Sequence, residues 1–403
     1  MQSYKMMKFI LSNLHDGHLY CSPPPEVKAY FEKTAIFCPL KLWFIHNKAF
    51  VIWSPANTLP PETEIISING IAINDIKKEL FRYMTSDGFN ESRKYHVINK
   101  NFRFYYNMVY GESQVFKVGY KSENGTIAKV DLNAIPGKEF PKDSDVSNHS
   151  KLLTLKYIDN IAILTINSFD SLTLAESNEN FPLFLKASFE EIRYRITDKL
   201  IIDLRDNGGG KDLYGSLLYA YLTDQKFAYI RSLTTVTKNL PYKELNRSNS
   251  SYNNLDSSML DSIGPKQYRL KPMAHDNLNI MNPMPYNYQG DVWFLVNGLS
   301  FSTTAEFCAI AEANHRGKFI GEETGGAYGG NTSGAMMDIN LPYSKMNVSF
   351  GLIRYEMKID DSQRADRGVM PYYIIMPTIK EILAKRDAQM DYALELAKDK
   401  KSR

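Results

Sequence analysis

The stretch KLIIDLRDNGGG, Lys199 to Gly210, decides how the chain is read. Its apolar half has the length of a buried strand. It runs directly into three glycines, where backbone N–H groups can approach a ligand closely. The ending of a phosphate-binding loop is missing, because Gly210-Lys211 is followed by Asp212, and dinucleotide spacing is absent too. Alone, the segment supports two readings equally: a tight turn with no ligand, and a loop that stabilises an anion. Working outward, the same texture recurs in YIDNIAILTI (Tyr157–Ile166), DVWFLVN (Asp291–Asn297) and KFIGEE (Lys318–Glu323). Helix-period stretches lie between, at Asn178 to Ile196, Tyr214 to Leu222 and Thr304 to Asn314. Near-continuous apolar strands alternating with helices predict an α/β unit with a largely parallel sheet covered on both faces.

This α/β texture begins near Lys151, and residues 150–398 are expected to form one core. Within it, residues 237–289 are rich in Asn, Ser, Tyr and Pro without a clear period, which reads as an irregular insert of lid or binding-loop type. Upstream, Met1 to Leu14 predicts a short helix with Met7, Ile10, Leu11 and Leu14 on one face. The Asp16-Gly17-His18 turn and the Pro23-Pro24-Pro25 break follow it. Residues 35–135 read as a small, mostly β domain: LWFIHNKAFVIW (Leu42–Trp53) predicts a hairpin, and Asn69-Gly70 a tight turn between β-branched runs. Pro136 to Ser150 is the candidate linker.

With 403 residues, the chain has room for two to three such units. Hydrophobic residues at 43% and charged residues at 23% exclude disorder, collagen and coiled coil as whole-chain descriptions. Lys plus Arg number 48 and Asp plus Glu 45, a balance of +3. With no basic run beyond the Lys398–Arg403 tail, nothing predicts a nucleic-acid partner. Cys21, Cys38 and Cys308 are too scattered for a disulfide framework and lack metal-ligand spacing, so no metal or other cofactor is expected. No apolar stretch is long enough to predict a membrane span. The first twenty residues lack the apolar core and cleavage site of a signal peptide, which leaves a cytoplasmic protein or a chain that begins inside a longer precursor. The oligomeric state is not encoded in any pattern found.

Two further segments could carry chemistry. In VNGLSFSTTAEFCAIAEA (Val296–Ala313) the spacing of Thr303 and Glu306 predicts a capping box at the start of a helix. Ser302 then stands at the positive end of the helix dipole, where developing negative charge is favoured and a serine can serve as a nucleophile. A serine hydroxyl needs a base at neutral pH. His18 is the one histidine beside a turn with a carboxylate, and His315, just beyond the helix, is the reserve.

Taken together, the segments resemble the tail-specific, or C-terminal-processing, peptidase family of serine proteases. The resemblance rests on DGH (16–18), IISINGIAI (65–73), NIAILTINSF (160–169), DLRDNGGG (203–210), SFSTTAEF (300–307), FIGEETGG (319–326) and RGVMPYY (367–373), which follow the family's order across most of the chain. It implies a ββα-spiral (crotonase/ClpP-like) peptidase core preceded by a PDZ-like module in residues 35–135, with residues 1–34 contributing the DGH segment to the core. Thr63-Glu64 replaces the Gly-Asp usual in that module.

The resemblance also implies roles. One oxyanion N–H comes from the glycine loop, at Gly209 or its neighbour Gly208, and the second from the residue after the nucleophile. No lysine lies within 321–331, so the lysine-dyad branch is disfavoured and the chain resembles the histidine-containing, tricorn-core-like branch, with His18 as the base. Counting back from Glu306 by the family spacing reaches Thr303, whereas aligning on Phe-Ser gives Ser302. Ser302 is preferred as nucleophile and Thr303 is the alternative. Glu356 and Asp366 lie where that branch places an acid, and either is a candidate to orient His18. The family's Pro-Asp is Pro371-Tyr372 here. The implied substrate is an extended or unfolded polypeptide, the implied activity serine-type peptide hydrolysis, and the implied location periplasmic or extracytoplasmic if the precursor is longer. An inactive peptide-binding homologue is the alternative.

Overall fold

Leu200 and Ile202 point one way from their strand and Ile201 the other, because successive side chains of a strand alternate between its faces. The first pair joins the largest apolar cluster of the molecule, and Ile201 joins a second one with Ile163, Trp293, Leu295, Ile320, Ala393 and Ala397. The sheet between these clusters is therefore buried on both sides, as the apolar runs demand. In this computed structural model, which describes residues 1–141, 151–239, 241–247, 256–359 and 366–399, its strand order is Leu153–Ile158, Ile161–Ile166, Lys199–Asp203, Asp291–Val296, Lys318–Gly321, Tyr373–Ile374. The first two strands are antiparallel and the rest run parallel. Helices Phe181–Tyr194, Asp212–Ala220 and Thr303–Ala313 lie on the larger cluster's side, and helix Ala388–Lys398 covers the other.

Before this sheet comes a six-stranded antiparallel one, in the order Lys41–Ile45, Lys48–Trp53, Glu64–Ile68, Val115–Lys121 and Ile127–Asn133, with Ile71–Ala72 also paired to Glu64–Ile68, and with its own core. Asn69 takes φ 51° and Gly70 φ 82° in the turn between paired Ile68 and Ile71, the left-handed geometry that an Asn-Gly pair adopts at little cost. The sheet carries a helix that no sequence pattern announced, Ser92–Tyr110. Its polar and aromatic residues mix along its length, so the apolar stripe is carried by Ile98, Phe102, Tyr105 and Tyr106. The N-terminal helix, Gln2–Ser12, buries Tyr4, Lys8, Leu11 and Ser12; of the expected face Leu11 is in the core and Met7 packs against it, while Ile10 and Leu14 are exposed, so the buried face is rotated toward Tyr4 and Lys8.

Part of the expected irregular insert is ordered β-structure. Leu260–Gly264 and Gln267–Leu270 form a hairpin that extends a five-stranded antiparallel sheet through Ile230–Thr235 to Ile353–Met357 and Thr332–Gly334. Only Leu260 and Leu270 of the hairpin are buried, so its outer residues show no alternation that a sequence reading could detect. Residues 240 and 248–255 of the insert, 142–150 of the candidate linker and 400–403 of the basic tail lie outside the described residues.

Candidate active site

The glycine loop is fastened on every side before it reaches any ligand. Leu204 N–H donates to Leu295 O, Asp206 N–H to Asn297 Oδ1, and Asn207 Nδ2 to Ile166 O, at 2.9, 3.1 and 3.0 Å. Phe169 N–H donates to Gly209 O and Phe301 N–H to Asn207 O, which ties the loop to the turn that carries Ser302. Gly209 has φ +96°, and a Cβ there would stand 2.7 Å from Ser302 Cβ and 2.8 Å from Phe301 O. No side chain fits, so glycine is what lets the two loops touch.

Ser302 caps the Thr303–Ala313 helix at φ 55°, ψ −127°. The expected capping box does not form. The Thr303 hydroxyl donates to Gly210 O at 2.9 Å, and Glu306 is buried, accepting from Asn331 Nδ2 at 2.7 Å. The first turn of this helix is enclosed by the core, so its side chains bond to neighbouring segments instead of to their own backbone. Burial, first, and the nearby Asp212 raise the Glu306 carboxyl to about 8, which leaves it protonated at neutral pH.

His18 arrives from the other end of the chain. Its Nε2 lies 3.1 Å from Ser302 Oγ, across 284 residues of sequence. The ring stacks on Phe301 at 4.5 Å between centroids, and the Arg93 guanidinium lies 3.9 Å from that same ring. Asp16 shapes the turn, its Oδ1 accepting the His18 N–H at 2.8 Å. Burial, with the Arg93 charge adding to it, lowers the imidazole to about 3, so it is neutral and able to accept a proton at physiological pH. Nδ1 has no hydrogen-bond partner among the described residues; its nearest anion is Asp16 Oδ1, at 3.8 Å.

A serine hydroxyl on a helix N-terminus, a neutral imidazole against it and a glycine loop packed on the serine's turn form the constellation of a serine hydrolase. Residues 160–351 match the model of peptidase family S41, a range that spans four of the sheet's six strands, the glycine loop and the Ser302 helix. Residues 160–351 form a peptidase family S41 domain. No curated protein sequence matches it significantly. Among solved structures, a CPAF mutant is 13% identical, covering 98% of this chain and 86% of that one at a TM-score of 0.60. Mature CPAF complexed with lactacystin is also 13% identical, over 98% and 87%, at 0.57. At such identity these matches speak for the fold, which is shared over nearly the whole chain. That domain makes this a serine-type peptidase whose substrate is polypeptide. Among the described residues no helix is long and apolar enough to cross a membrane.

Within the S41 site the glycine N–H groups differ. That of Gly209 donates to Asn207 Oδ1 at 3.0 Å and is engaged. The N–H groups of Gly208 and Thr303 carry no hydrogen bond among the described residues, and a Cβ on Gly208 would meet nothing within 4 Å. Neither expected acid faces His18. Glu356 Oε2 accepts from Ser232 Oγ at 2.7 Å and its other oxygen lies 3.8 Å from Arg231, on a strand of the five-stranded sheet. Asp366 is exposed, and its contribution is a backbone carbonyl that accepts the Phe89 N–H at 2.9 Å. His315 follows the C-terminal end of the helix that Ser302 begins, about 20 Å away at 1.5 Å per residue, and cannot serve as the base.

The carboxylates that do approach the imidazole are Asp16 and Asp87, whose ligand atoms lie with that of His18 within 4.8 Å of one another. Sequence reading missed Asp87, Arg93 and Phe301. Phe301 stands inside the quoted SFSTTAEF segment without a role assigned to it, whereas Asp87, in the loop before the Ser92–Tyr110 helix, and Arg93, in its first turn, lie where no family motif reaches.

Proposed function

We propose that this S41 peptidase cleaves extended or unfolded polypeptides through an acyl-enzyme, with Ser302 as nucleophile and His18 as base. The observation that carries this reading is the 3.1 Å contact between His18 Nε2 and Ser302 Oγ beside two unengaged N–H groups. With the ring proton on Nδ1, Nε2 accepts the hydroxyl hydrogen as Oγ attacks the scissile carbonyl. The Gly208 and Thr303 N–H groups receive the oxyanion, and the imidazolium returns its proton to the leaving amine. Water then repeats the sequence on the ester. Thr303 contributes its N–H, while its hydroxyl stays bound to Gly210 O. An extended chain is the substrate form whose backbone can lie between loops and present a carbonyl to a half-buried hydroxyl.

Cleavage of a reduced, unfolded protein by wild type, Ser302→Ala, His18→Ala and Thr303→Val tests the assignment. Loss of the serine lowers kcat by at least about 10³-fold, and loss of the histidine by about 10²–10⁴-fold. Thr303→Val, which keeps the N–H, stays within about tenfold of wild type, less than the loss of one oxyanion donor. Full activity in Ser302→Ala overturns the nucleophile. Absence of cleavage together with absence of fluorophosphonate labelling at Ser302 supports an inactive peptide-binding homologue instead.

A further inference from the structure

We propose that Asp87 is the positioning residue of this site, the carboxylate that holds the His18 turn at its working distance from Ser302; the inference rests on the Ser302–His18 reading above. Asp87 is 4% exposed and lies between two loops that each touch the catalytic pair. Its Oδ1 accepts the Gly17 N–H at 2.6 Å, immediately before His18, and its Oδ2 accepts the Ala327 N–H at 3.0 Å. Gly326, next to Ala327, packs on the Ser302 turn so closely that a Cβ there would stand 2.6 Å from Ala305 Cβ and 3.1 Å from Ser302 N. Gly17 is likewise closed, since a Cβ would meet the Phe301 ring at 2.8 Å and Asp87 Oδ1 at 2.9 Å. One carboxylate thus fixes both walls of the gap that His18 must span.

The loop that carries Asp87 is itself held in place. Gly88 N–H donates to His15 O, Phe89 N–H to Asp366 O, and Asn90 Nδ2 to Thr324 O, at 2.9, 2.9 and 2.7 Å. Gly88 has φ +53°, and a Cβ there would be 2.2 Å from Asp366 O. The position calls for a carboxylate because both oxygens accept. An amide offers one acceptor and turns an NH₂ toward the second N–H donor. Among the described residues Asp16, Arg93 and His18 are the charged or titratable groups nearest it, with His15 and Asp366 against the adjoining Gly88 and Glu306 further below. Burial above all raises the Asp87 carboxyl to about 6, the Gly17 and Ala327 N–H groups pulling it down and Asp16 pushing it up. Its ionised form, which holds both N–H groups, is then lost on acidification near pH 6, well above the titration of His18.

The test measures kcat and KM separately across pH 5–8 for wild type, Asp87→Asn, Asp87→Glu and Ser302→Ala, with thermal melts as the control for folding. Asp87→Asn lowers kcat about 10²-fold, the scale of a 1 Å misplacement, with KM within about threefold on the same scale of reasoning. It also removes an acid limb near pH 6 that wild type shows. Asp87→Glu, which keeps the charge, restores part of kcat and the limb. An Asp87→Asn enzyme with wild-type kcat overturns the proposal, and so does a wild type that shows no acid limb between pH 5 and 7. That second readout needs no variant to fold. If wild type cleaves no faster than Ser302→Ala, the peptidase assignment itself fails and this inference falls with it, an outcome distinct from the other two.

Discussion

Ser302 adopts φ 55°, ψ −127°, a region that L-residues rarely occupy and that costs on the order of 1–3 kcal/mol. The glycine loop, the Phe301 backbone and Gly326 hold it there, and the consequence is a hydroxyl presented to His18 Nε2 at 3.1 Å. The same crowding makes Gly209 irreplaceable. Gly209→Ala puts a methyl 2.7 Å from Ser302 Cβ, so we expect kcat/KM to fall by about 10²–10³-fold, comparable to loss of an oxyanion donor. Steady-state kinetics beside a denaturation curve separates this from unfolding. Overpacking alone should cost about 1–3 kcal/mol, and wild-type activity in the Gly209→Ala variant would contradict the contact. At this scale the motifs named Ser302 and His18, because each stands in a recognisable local pattern. Asp87 has none: Asp87-Gly88 looks like any surface turn, and its partners lie 70 and 240 residues away.

Elements position these residues through a few charged ties. Arg205, at the end of the central strand, donates from Nε and Nη2 to Asp203 at 2.9 and 2.6 Å and from Nη1 and Nη2 to Asp387 at 2.6 and 2.7 Å. The guanidinium thereby joins the start of the glycine loop to the cap of the C-terminal helix. Arg205→Ala leaves Asp203, only 9% exposed, without its counter-charge, and should destabilise the core by about 3 kcal/mol in urea unfolding. Arg205→Lys recovers little of this, since an ammonium cannot reproduce the fork. A midpoint unchanged by Arg205→Ala would show the tie to be dispensable. The strands of the central sheet were readable because burial on both faces leaves a continuous apolar run. The Ser92–Tyr110 helix was not, because it is enclosed nearly all round by polar as well as apolar side chains and so shows no single apolar stripe, and neither was the Leu260–Leu270 hairpin, which buries only its two end residues.

Across the whole molecule, buried acids set the pH response of stability. Glu306 is raised from 4.5 to about 8 by burial first and Asp212 second. Between those values the unfolded chain releases this proton and the folded one keeps it, so its contribution to stability falls as pH rises from 4.5 to 8. Glu306→Gln, which preserves the bond from Asn331 Nδ2, should therefore gain stability relative to wild type across that window, by on the order of a few kcal/mol. Parallel urea titrations at pH 5 and 8 check this, and a difference that does not grow with pH would refute it. The N-terminal unit contributes to the same interior. His96 Nε2 bonds to Glu322 at 2.7 Å, and the Ser92 hydroxyl to Glu323 O at 2.8 Å, so the Ser92–Tyr110 helix is anchored beside the loop that carries Gly326. The sequence by itself determined the α/β class of the core, the glycine loop and the serine and histidine segments, because apolar period and turn chemistry are local properties of the chain. Only the tertiary structure decided which N–H groups are left unengaged, that Glu356 and Asp366 face away from His18, and that Asp87 stands beside it. Those facts depend on contacts between distant segments, and no local pattern records them.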